Sequence, residues 1–263
     1  MSHVAVVHDR RRQRARRRSL SQRLNEVQRT LHAVQRTAPG LLALATFGLL
    51  AVVRIAGAWS EVAMPAAIAL TPAAVLLLPR SEREPAGLHL DVGARQVAEG
   101  VAVVLGSYVV VVAGCLWVFG SASPHDWLGA IRPLFESMAP FDPGSAGHRV
   151  VALALAVVCM GVLVPAAEEV FFRGVLHRAA SRRWGPLAAV LLTASGWALV
   201  HLGDYGLRPF DAAEIAGMLP SVALMGLALG WCRVRTGSAL ACVVAQGAAN
   251  LALTVWVFGV MAR

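Results

Sequence analysis

A series of long apolar stretches limits what this chain can fold into. About 20 helical residues cross the hydrocarbon core of a bilayer, and seven stretches have that length or approach it: residues 40–59, 62–78, 97–120, 149–167, 187–203, 214–232 and 238–261. The composition agrees, since 57 % of the 263 residues are hydrophobic and only 15 % are charged. The sequence therefore predicts an all-α fold, a polytopic membrane helical bundle of about seven transmembrane helices.

The first 38 residues differ from the rest of the chain in composition. The stretch DRRRQRARRR, residues 9–18, holds seven arginines. Next to membrane segments, we expect such a run to bind anionic lipid headgroups, and no base-reading motif accompanies it that would indicate nucleic acid. We therefore predict two parts, a basic cytoplasmic arm of residues 1–38 and a transmembrane domain of residues 39–263.

A helical stripe follows the arginine run. Its apolar positions recur at intervals of four and three residues, at Leu20, Leu24, Val27, Leu31 and Val34. This pattern predicts a short amphipathic helix, which lies either on the membrane surface or against the protein's own surface.

Arginine is divided unequally between the two sets of loops that the apolar stretches define. On the side of the basic arm, arginines recur in residues 79–96, 173–186 and 233–237. The loops of the opposite side, residues 121–148 and 204–213, hold fewer arginines and more carboxylates. By the positive-inside rule, the N-terminus is cytoplasmic, and seven spans would place the C-terminus outside.

The four cysteines each lie in an apolar segment and show no C-x-x-C spacing. They are Cys115, Cys159, Cys232 and Cys242. We interpret them as small buried side chains, not as a disulfide framework or a thiolate metal site.

Two adjacent glutamates follow an apolar run in the stretch PAAEEVFFRG, residues 165–174. A carboxylate such as Asp at the centre of a membrane helix costs about 2.5–3.5 kcal/mol on insertion scales. Glu169 and Arg173 are spaced i, i+4 with the glutamate first, the better orientation for an ion pair. Because helical neighbours point about 100° apart, Glu168 must face another partner. Alternatively, both glutamates lie at the cytoplasmic interface.

Two later helices carry further polar pairs at the same spacing. Trp197 and His201 lie in SGWALVHLGD, and Gln246 and Asn250 lie in AQGAANLALTVW. Glu168 and His201 stand 17 and 16 residues on either side of Gly185, in the predicted turn RRWGP. If two antiparallel helices meet at that turn, the two side chains come level. We therefore predict a site inside the bilayer, nearer its cytoplasmic face.

One charge remains without a partner in the sequence. Arg54 interrupts the first apolar stretch. It is either a buried ion-pair partner or a side chain that extends to the interface.

The three polar motifs together resemble those of a known family. EE-x-x-x-R, F-x-x-x-H and H-x-x-x-N, each in a hydrophobic helix, are typical of the CPBP family, the CAAX prenyl protease and bacteriocin-processing (Abi) intramembrane proteases. The resemblance covers about residues 150–255, with Trp197 at the usual Phe position and Gln246 at the usual His position. It implies an intramembrane endopeptidase of a bacterial cell membrane that cleaves a membrane-associated peptide or protein near the cytoplasmic face.

The resemblance also implies roles for individual residues. Glu168 would act as the general base on a water molecule, with His201 helping to hold it. Glu169 and Arg173 would fix the helix and the rotamer of the first glutamate.

The remaining roles concern the second and third motifs and the contacts of the substrate. Gln246 and Asn250 would orient water and stabilise the oxyanion through their amide donors. Phe172 and Trp197 are candidate contacts for the substrate.

Gln246 limits which chemistry is available. A glutamine does not titrate, and it is a poor zinc ligand, since zinc prefers Cys, His and carboxylate. A metal, if any, would have only Glu168 and His201 as ligands. We therefore expect a reaction that requires no cofactor, with zinc as the alternative.

Two other classes of protein stay open. The substituted histidine is also compatible with a catalytically impaired membrane scaffold, immunity or regulatory protein that keeps the fold. A small transporter would explain charges within the membrane, but the sequence shows no inverted repeat, so we rank it last.

Overall fold

The computed structural model describes residues 41–56, 83–89, 91–121, 123–139 and 145–259, together with the positions 22, 25–27, 29, 30, 33, 71, 142 and 143. None of these residues belongs to a β-strand, and long helices dominate, which confirms the predicted all-α class. The arginine run, most of the apolar stripe after it and the predicted span 62–78, apart from Thr71, lie outside the described residues.

Eight α-helices make up most of the described chain. They are α1 (Leu41–Ala56), α2 (Ala94–Phe119), α3 (Ile131–Ser137), α4 (Ala146–Val158), α5 (Val164–Glu169), α6 (His177–Val200), α7 (Ala212–Thr236) and α8 (Ala239–Gly259). Four shorter helical segments join them: 3-10 turns at Trp127–Ala130 and His201–Gly203, and π-helices at Cys159–Leu163 and Val170–Leu176.

Four helical runs in the described ranges are long and apolar enough to cross a membrane: Ala94–Phe119, Ala146–Gly203, Ala212–Thr236 and Ala239–Gly259. At a rise of 1.5 Å per residue, the shortest of them is about 32 Å long, which matches a hydrocarbon core of about 30 Å. The run Ala146–Gly203 contains two of the predicted spans. The structure thereby confirms a helical membrane bundle.

The predicted loop 173–186 is wrong, because the chain stays helical up to Gly185. The arginines of this stretch are good helix formers, so nothing ends the helix before that glycine. Gly185 adopts φ 84° and ψ 169°, a conformation that favours glycine, and Pro186 follows it. The Gly-Pro pair is thus the turn that the sequence predicted, but Glu168 lies inside a continuous helix and not at its exit.

The predicted loop 233–237 is also mostly helical. Helix α7 continues to Thr236 and ends at Gly237, which takes the left-handed conformation of a helix C-cap. The guanidinium of Arg233 donates to the backbone carbonyl of Arg173 over 2.8 Å and to that of Pro85 over 3.2 Å. Arg233 therefore links the C-terminal end of α7 to the helical segment that carries Arg173.

Helices α6 and α7 approach closely at a glycine. A Cβ built on Gly226 would lie 3.0 Å from the Cα of Ala194. Small residues at such crossings let membrane helices pack backbone to backbone. The carbonyl of Gly226 also accepts a hydrogen bond from Arg173 over 3.0 Å, so the close approach positions the first motif.

Candidate active site

Both glutamates of the first motif end the short helix α5, which lies between two π-helices. Single π turns inside α-helices are frequent at functional sites. Each π turn changes the rotational register of the residues that follow it. The direction in which Glu168 points therefore depends on irregularities that spacing alone does not reveal.

Glu169 and Arg173 form the ion pair that their spacing predicts. Both side chains are fully buried, and Arg173 lies over the ring of Trp197 at 5.0 Å from its centroid. The pair is enclosed by protein, so it serves to hold helices together and does not face the cavity described below.

Glu168 is also buried, but it faces a different set of side chains. Its Oε1 accepts from Nη1 of Arg54 over 2.8 Å, and its Oε2 accepts from Nε1 of Trp197 over 3.0 Å and from Nε2 of Gln246 over 2.9 Å. An ionised carboxylate has about four acceptor positions. These contacts occupy both positions of Oε2 and leave one on Oε1.

Both departures from the family motifs bind the same oxygen atom. Trp197 replaces the usual Phe and Gln246 replaces the usual His, and each donates to Oε2 of Glu168. A phenylalanine would have no donor to offer there. The two substitutions thus act on one shared carboxylate.

Arg54 is the group that sequence reasoning could not pair. It is only 4 % exposed, so it does not extend to the interface. Besides Glu168, it binds Oδ2 of Asp204 through Nη2 over 2.6 Å. A guanidinium can bridge two carboxylates in this way because it presents several donors in one rigid plane.

The ring of His201 contacts the backbone of Trp197 and lies near Asp204. Its Nδ1 lies 2.7 Å from the carbonyl oxygen of Trp197, and its Nε2 lies 3.8 Å from Oδ2 of Asp204. A carbonyl only accepts, so Nδ1 carries a proton and Nε2 is an acceptor when the ring is neutral. Among the described contacts, Arg54, Trp197 and Gln246 donate hydrogen bonds to Glu168, and His201 does not.

Asn250 is held by two groups that lie far from it in the sequence. The hydroxyl of Tyr108 donates to its Oδ1 over 2.8 Å, and its Nδ2 donates to the carbonyl of Met160 over 2.9 Å. Tyr108 carried no motif signal, because it is a single tyrosine within an apolar helix. Oε1 of the neighbouring Gln246 is buried and has no hydrogen-bond partner in the described part of the chain.

A cavity of about 790 Å³ opens beside these side chains. Its polar residues gather at one end: Arg54, Tyr108, Glu168, Trp197, His201, Asp204, Gln246 and Asn250. The rest of its lining is mostly apolar. Leu134, Met138 and Leu163 line the cavity and are also exposed on the outside of the bundle, so they mark its mouth.

Phe172, a candidate substrate contact, is not part of the cavity wall. It is 3 % exposed and packs edge-on against Phe47 and Phe171. Trp197, the other candidate, does line the cavity.

The cavity extends toward the end of the bundle opposite to Gly185 and Gly237. The residues that line it beyond Glu168 come from the segment 127–138 and from the turn after α6. These elements belong to the predicted loops 121–148 and 204–213, which hold few arginines. The predicted position of the site nearer the cytoplasmic face stays a prediction.

Two aspartates at this end fix the segments that border the cavity. Asp126 accepts from the N–H of Leu128, and its partial burial raises its pKa. Asp211 accepts from the N–H groups of Ala213 and Glu214 at the start of α7 and lies 2.5 Å from Nδ1 of His125. The backbone hydrogen bond from Glu214 and then that from His125 lower the pKa of Asp211.

The donor set does not fit a metal ion. The residues that the structure describes contain no group of three or more His, Cys, Asp and Glu side chains able to hold one. At Glu168, a guanidinium already occupies the position that a cation would take, and Gln246 directs a donor, not an acceptor, at the carboxylate. Zinc on Glu168 and His201 would have to displace these contacts.

Glu168 is thus a buried carboxylate, bound by a guanidinium and two neutral donors, at the inner end of a cavity within a helical membrane bundle. Residues 150–252 match the family model described as type II CAAX prenyl endopeptidase Rce1-like. This segment covers less than half of the chain and includes all three motifs. The match confirms that this segment resembles the CAAX protease (CPBP) family. No protein of established function and no solved structure matches the chain.

Proposed function

We propose that this protein is an endopeptidase that hydrolyses a peptide bond of a membrane-associated substrate with a water molecule activated by Glu168. The observation that carries this proposal is the position of Glu168 at the polar end of the apolar cavity, with one acceptor position of Oε1 still open. A water bound there would meet a substrate that lies in the cavity.

The reaction follows from the donors around this position. Glu168 accepts a proton from the water, and the resulting hydroxide attacks the carbonyl carbon of the substrate. One N–H of each amide, on Gln246 and Asn250, is used in the contacts above, and the second N–H of each remains for the oxyanion. The proton then passes from Glu168 to the departing amine, which breaks the C–N bond.

His201 supports the water in this mechanism. Its Nε2 acceptor faces the same cavity, beside Asp204. A neutral imidazole there accepts a hydrogen bond from the water and limits its orientation. The mechanism needs no metal ion.

The test compares two carboxylate substitutions. Glu168→Gln keeps the shape of the side chain and removes its ability to accept a proton, so we expect substrate termini present with the native protein to disappear from the membrane proteome. Glu99→Gln is the matched control, since Glu99 also pairs with arginines but lies away from the cavity. Unchanged turnover of a purified substrate by the Glu168→Gln variant would contradict the proposal.

The mouth of the cavity indicates how a substrate enters. Leu134, Met138 and Leu163 are apolar, exposed and part of the cavity lining, so we propose lateral entry of an apolar segment or chain from the bilayer. Leu163→Trp should then raise KM at least several-fold. Val162→Trp is the control, because Val162 is equally exposed but does not line the cavity; an equal effect of both would contradict lateral entry.

A non-catalytic role is the second candidate, and one observation favours it. Gln246 supplies a donor to Glu168 where the family has a titratable histidine. If the protein is a scaffold, immunity or regulatory protein, the native chain cleaves nothing, and Gln246→His creates activity. Native turnover would exclude this role.

We also propose the surroundings in which the protein works. The family resemblance favours a bacterial cell membrane, the arginine bias favours a cytoplasmic N-terminus, and the arm of residues 1–38 would bind anionic lipid headgroups. Removal of residues 9–18 should weaken binding of the isolated arm to anionic vesicles and leave neutral vesicles unaffected. Equal binding to both kinds of vesicle would contradict this proposal.

A further inference from the structure

The cation that faces Glu168 comes from outside the segment that matches the family. Arg54 lies on α1, 114 residues before Glu168, whereas the matching segment begins at residue 150. None of the three motifs contains this group. It nevertheless makes a direct contact with the carboxylate at the centre of the proposed mechanism.

We propose that Arg54 is a positioning residue that fixes the Glu168 carboxylate by bridging it to Asp204. Only the expected effect of Arg54 on turnover rests on the proposed function. The placement of the carboxylate is a structural property and can be measured without a substrate.

The bridge is anchored at three points. Nη1 holds Oε1 of Glu168, Nη2 holds Oδ2 of Asp204, and both contacts are shorter than 3 Å. The backbone of Arg54 is held as well, since a Cβ on Gly203 would lie 2.0 Å from the Arg54 carbonyl oxygen. The guanidinium therefore has little freedom, and neither has the carboxylate oxygen that it binds.

The bridge also explains why the open acceptor position lies on Oε1. Trp197 and Gln246 use both positions of Oε2, and Arg54 takes only one position of Oε1. A lysine could not reproduce this arrangement, because its ammonium is a point charge without the rigid fork of a guanidinium. Arg54 thus leaves one defined direction for a water molecule.

The alternative is that Arg54 only neutralises buried charge and so stabilises the bundle. The two roles differ in what happens around Glu168 when Arg54 is changed. Loss of a general stabiliser would loosen the cavity as a whole. Loss of a positioning residue would change the contacts of the Glu168 carboxylate and spare groups on the other side of the cavity.

The indole N–H of Trp197 reports the position of the carboxylate, because it donates directly to Oε2. Trp127 is the internal control, since it lines the same cavity and packs against Tyr205, with ring centroids 5.2 Å apart. The measurement uses the full chain in detergent or nanodiscs with ¹⁵N-labelled tryptophan. Trp197→Phe and Trp127→Phe assign the two indole resonances.

We expect Arg54→Gln to move the Trp197 indole proton upfield and to leave the Trp127 indole in place. Arg54→Lys should give a smaller change in the same direction. Arg95→Gln is the matched control, since Arg95 pairs with Glu99 on the surface, away from the cavity, and it should change neither resonance. If Arg54→Gln does not fold, Asp204→Asn makes the same test, because it removes the second anchor and keeps Arg54.

Two results would overturn the inference. One is a Trp197 resonance that stays unchanged in the folded variants; the other is an equal shift of both indoles, which marks general loosening. With a substrate, Arg54→Gln should lower kcat about 10²-fold, the cost of a misplaced catalytic group, with little change in KM. A selective indole shift without any native turnover would remove the proposed function and leave the positioning role of Arg54 standing.

Discussion

Tyr108 donates a hydrogen bond to Oδ1 of Asn250 over 2.8 Å, and this contact joins α2 to the third motif on α8. Asn250 in turn donates to the carbonyl of Met160 in the first π-helix. The amide is therefore fixed from two sides. Its orientation in the cavity depends on a residue that lies outside all three motifs.

Removal of the Tyr108 hydroxyl should affect both stability and turnover. Tyr108→Phe leaves Oδ1 of Asn250 buried without its donor, which costs about 1–3 kcal/mol. Denaturant titration in mixed micelles measures this loss. Tyr205→Phe changes the only other tyrosine of the chain and should cost less, because no hydrogen bond of its hydroxyl is found among the described residues. An equal loss in both variants would contradict the role of the Tyr108 contact.

The ion pair of the first motif should behave as a buried structural pair. Glu169→Gln leaves the charge of Arg173 buried and unpaired, and breaking such a pair costs about 3–5 kcal/mol. Glu99→Gln, at a partly exposed pair with arginines, should cost much less. Thermal unfolding of the two variants gives the comparison. A stable Glu169→Gln protein with an intact fold would show that Arg173 finds compensation elsewhere.

Gly203 should tolerate no side chain. Its added Cβ would lie 2.0 Å from the carbonyl oxygen of Arg54, so Gly203→Ala must push α1 away from the turn after α6. Overpacking of this kind costs about 1–3 kcal/mol. Gly114→Ala on α2 is the control, because nothing lies within 4 Å of its added Cβ. The melting temperatures of the two variants are compared. Equal values would contradict the close contact between Gly203 and the Arg54 carbonyl.

The charge of Asp211 should stabilise the fold at neutral pH and lose this effect in acid. Its folded-state pKa is lowered, first by the backbone N–H of Glu214 and then by His125. Stability from such a group is present above the unfolded pKa and disappears as the pH falls through the folded pKa. Asp211→Asn keeps the helix cap, so its deficit in melting temperature should shrink as the pH is lowered from neutral. A deficit that is constant with pH would contradict a role for the charge.

Metal chelators should leave turnover unchanged. Glu168 is already bound by a guanidinium and two neutral donors, so the mechanism proposed above requires no metal. Incubation of the purified protein with a chelator, followed by an assay with and without added Zn²⁺, measures this. Activity that is lost with the chelator and restored by Zn²⁺ would contradict the prediction.

Hydropathy and residue spacing predict much of the bundle. The helical spans at 97–120, 214–232 and 238–261 correspond to α2, α7 and α8, because their apolar length leaves few alternatives. The turn at Gly185 follows from the Gly-Pro pair. The arginine-rich stretch before it is helical and not the predicted loop, because charge distribution shows on which side a segment lies but not whether it is helical.

The site could be predicted only in part. The meeting of Glu168, Trp197 and Gln246 follows from polar residues on helices that are otherwise apolar, since each must face an interior. The partners of Arg54 could not be found in this way, because contacts over 114 and 150 residues leave no local pattern. Its position in an apolar stretch was nevertheless a signal that a carboxylate must meet it.

The Arg54 bridge also has a consequence for biosynthesis. The ribosome makes Arg54 114 residues before Glu168 and 150 residues before Asp204. At about 5–20 residues per second, the wait for Glu168 is roughly 6–23 s. During that interval the first helix contains the cation of Arg54, while neither Glu168 nor Asp204 has been synthesised. Arg54 therefore gains its first carboxylate partner only after nearly two thirds of the chain have been synthesised.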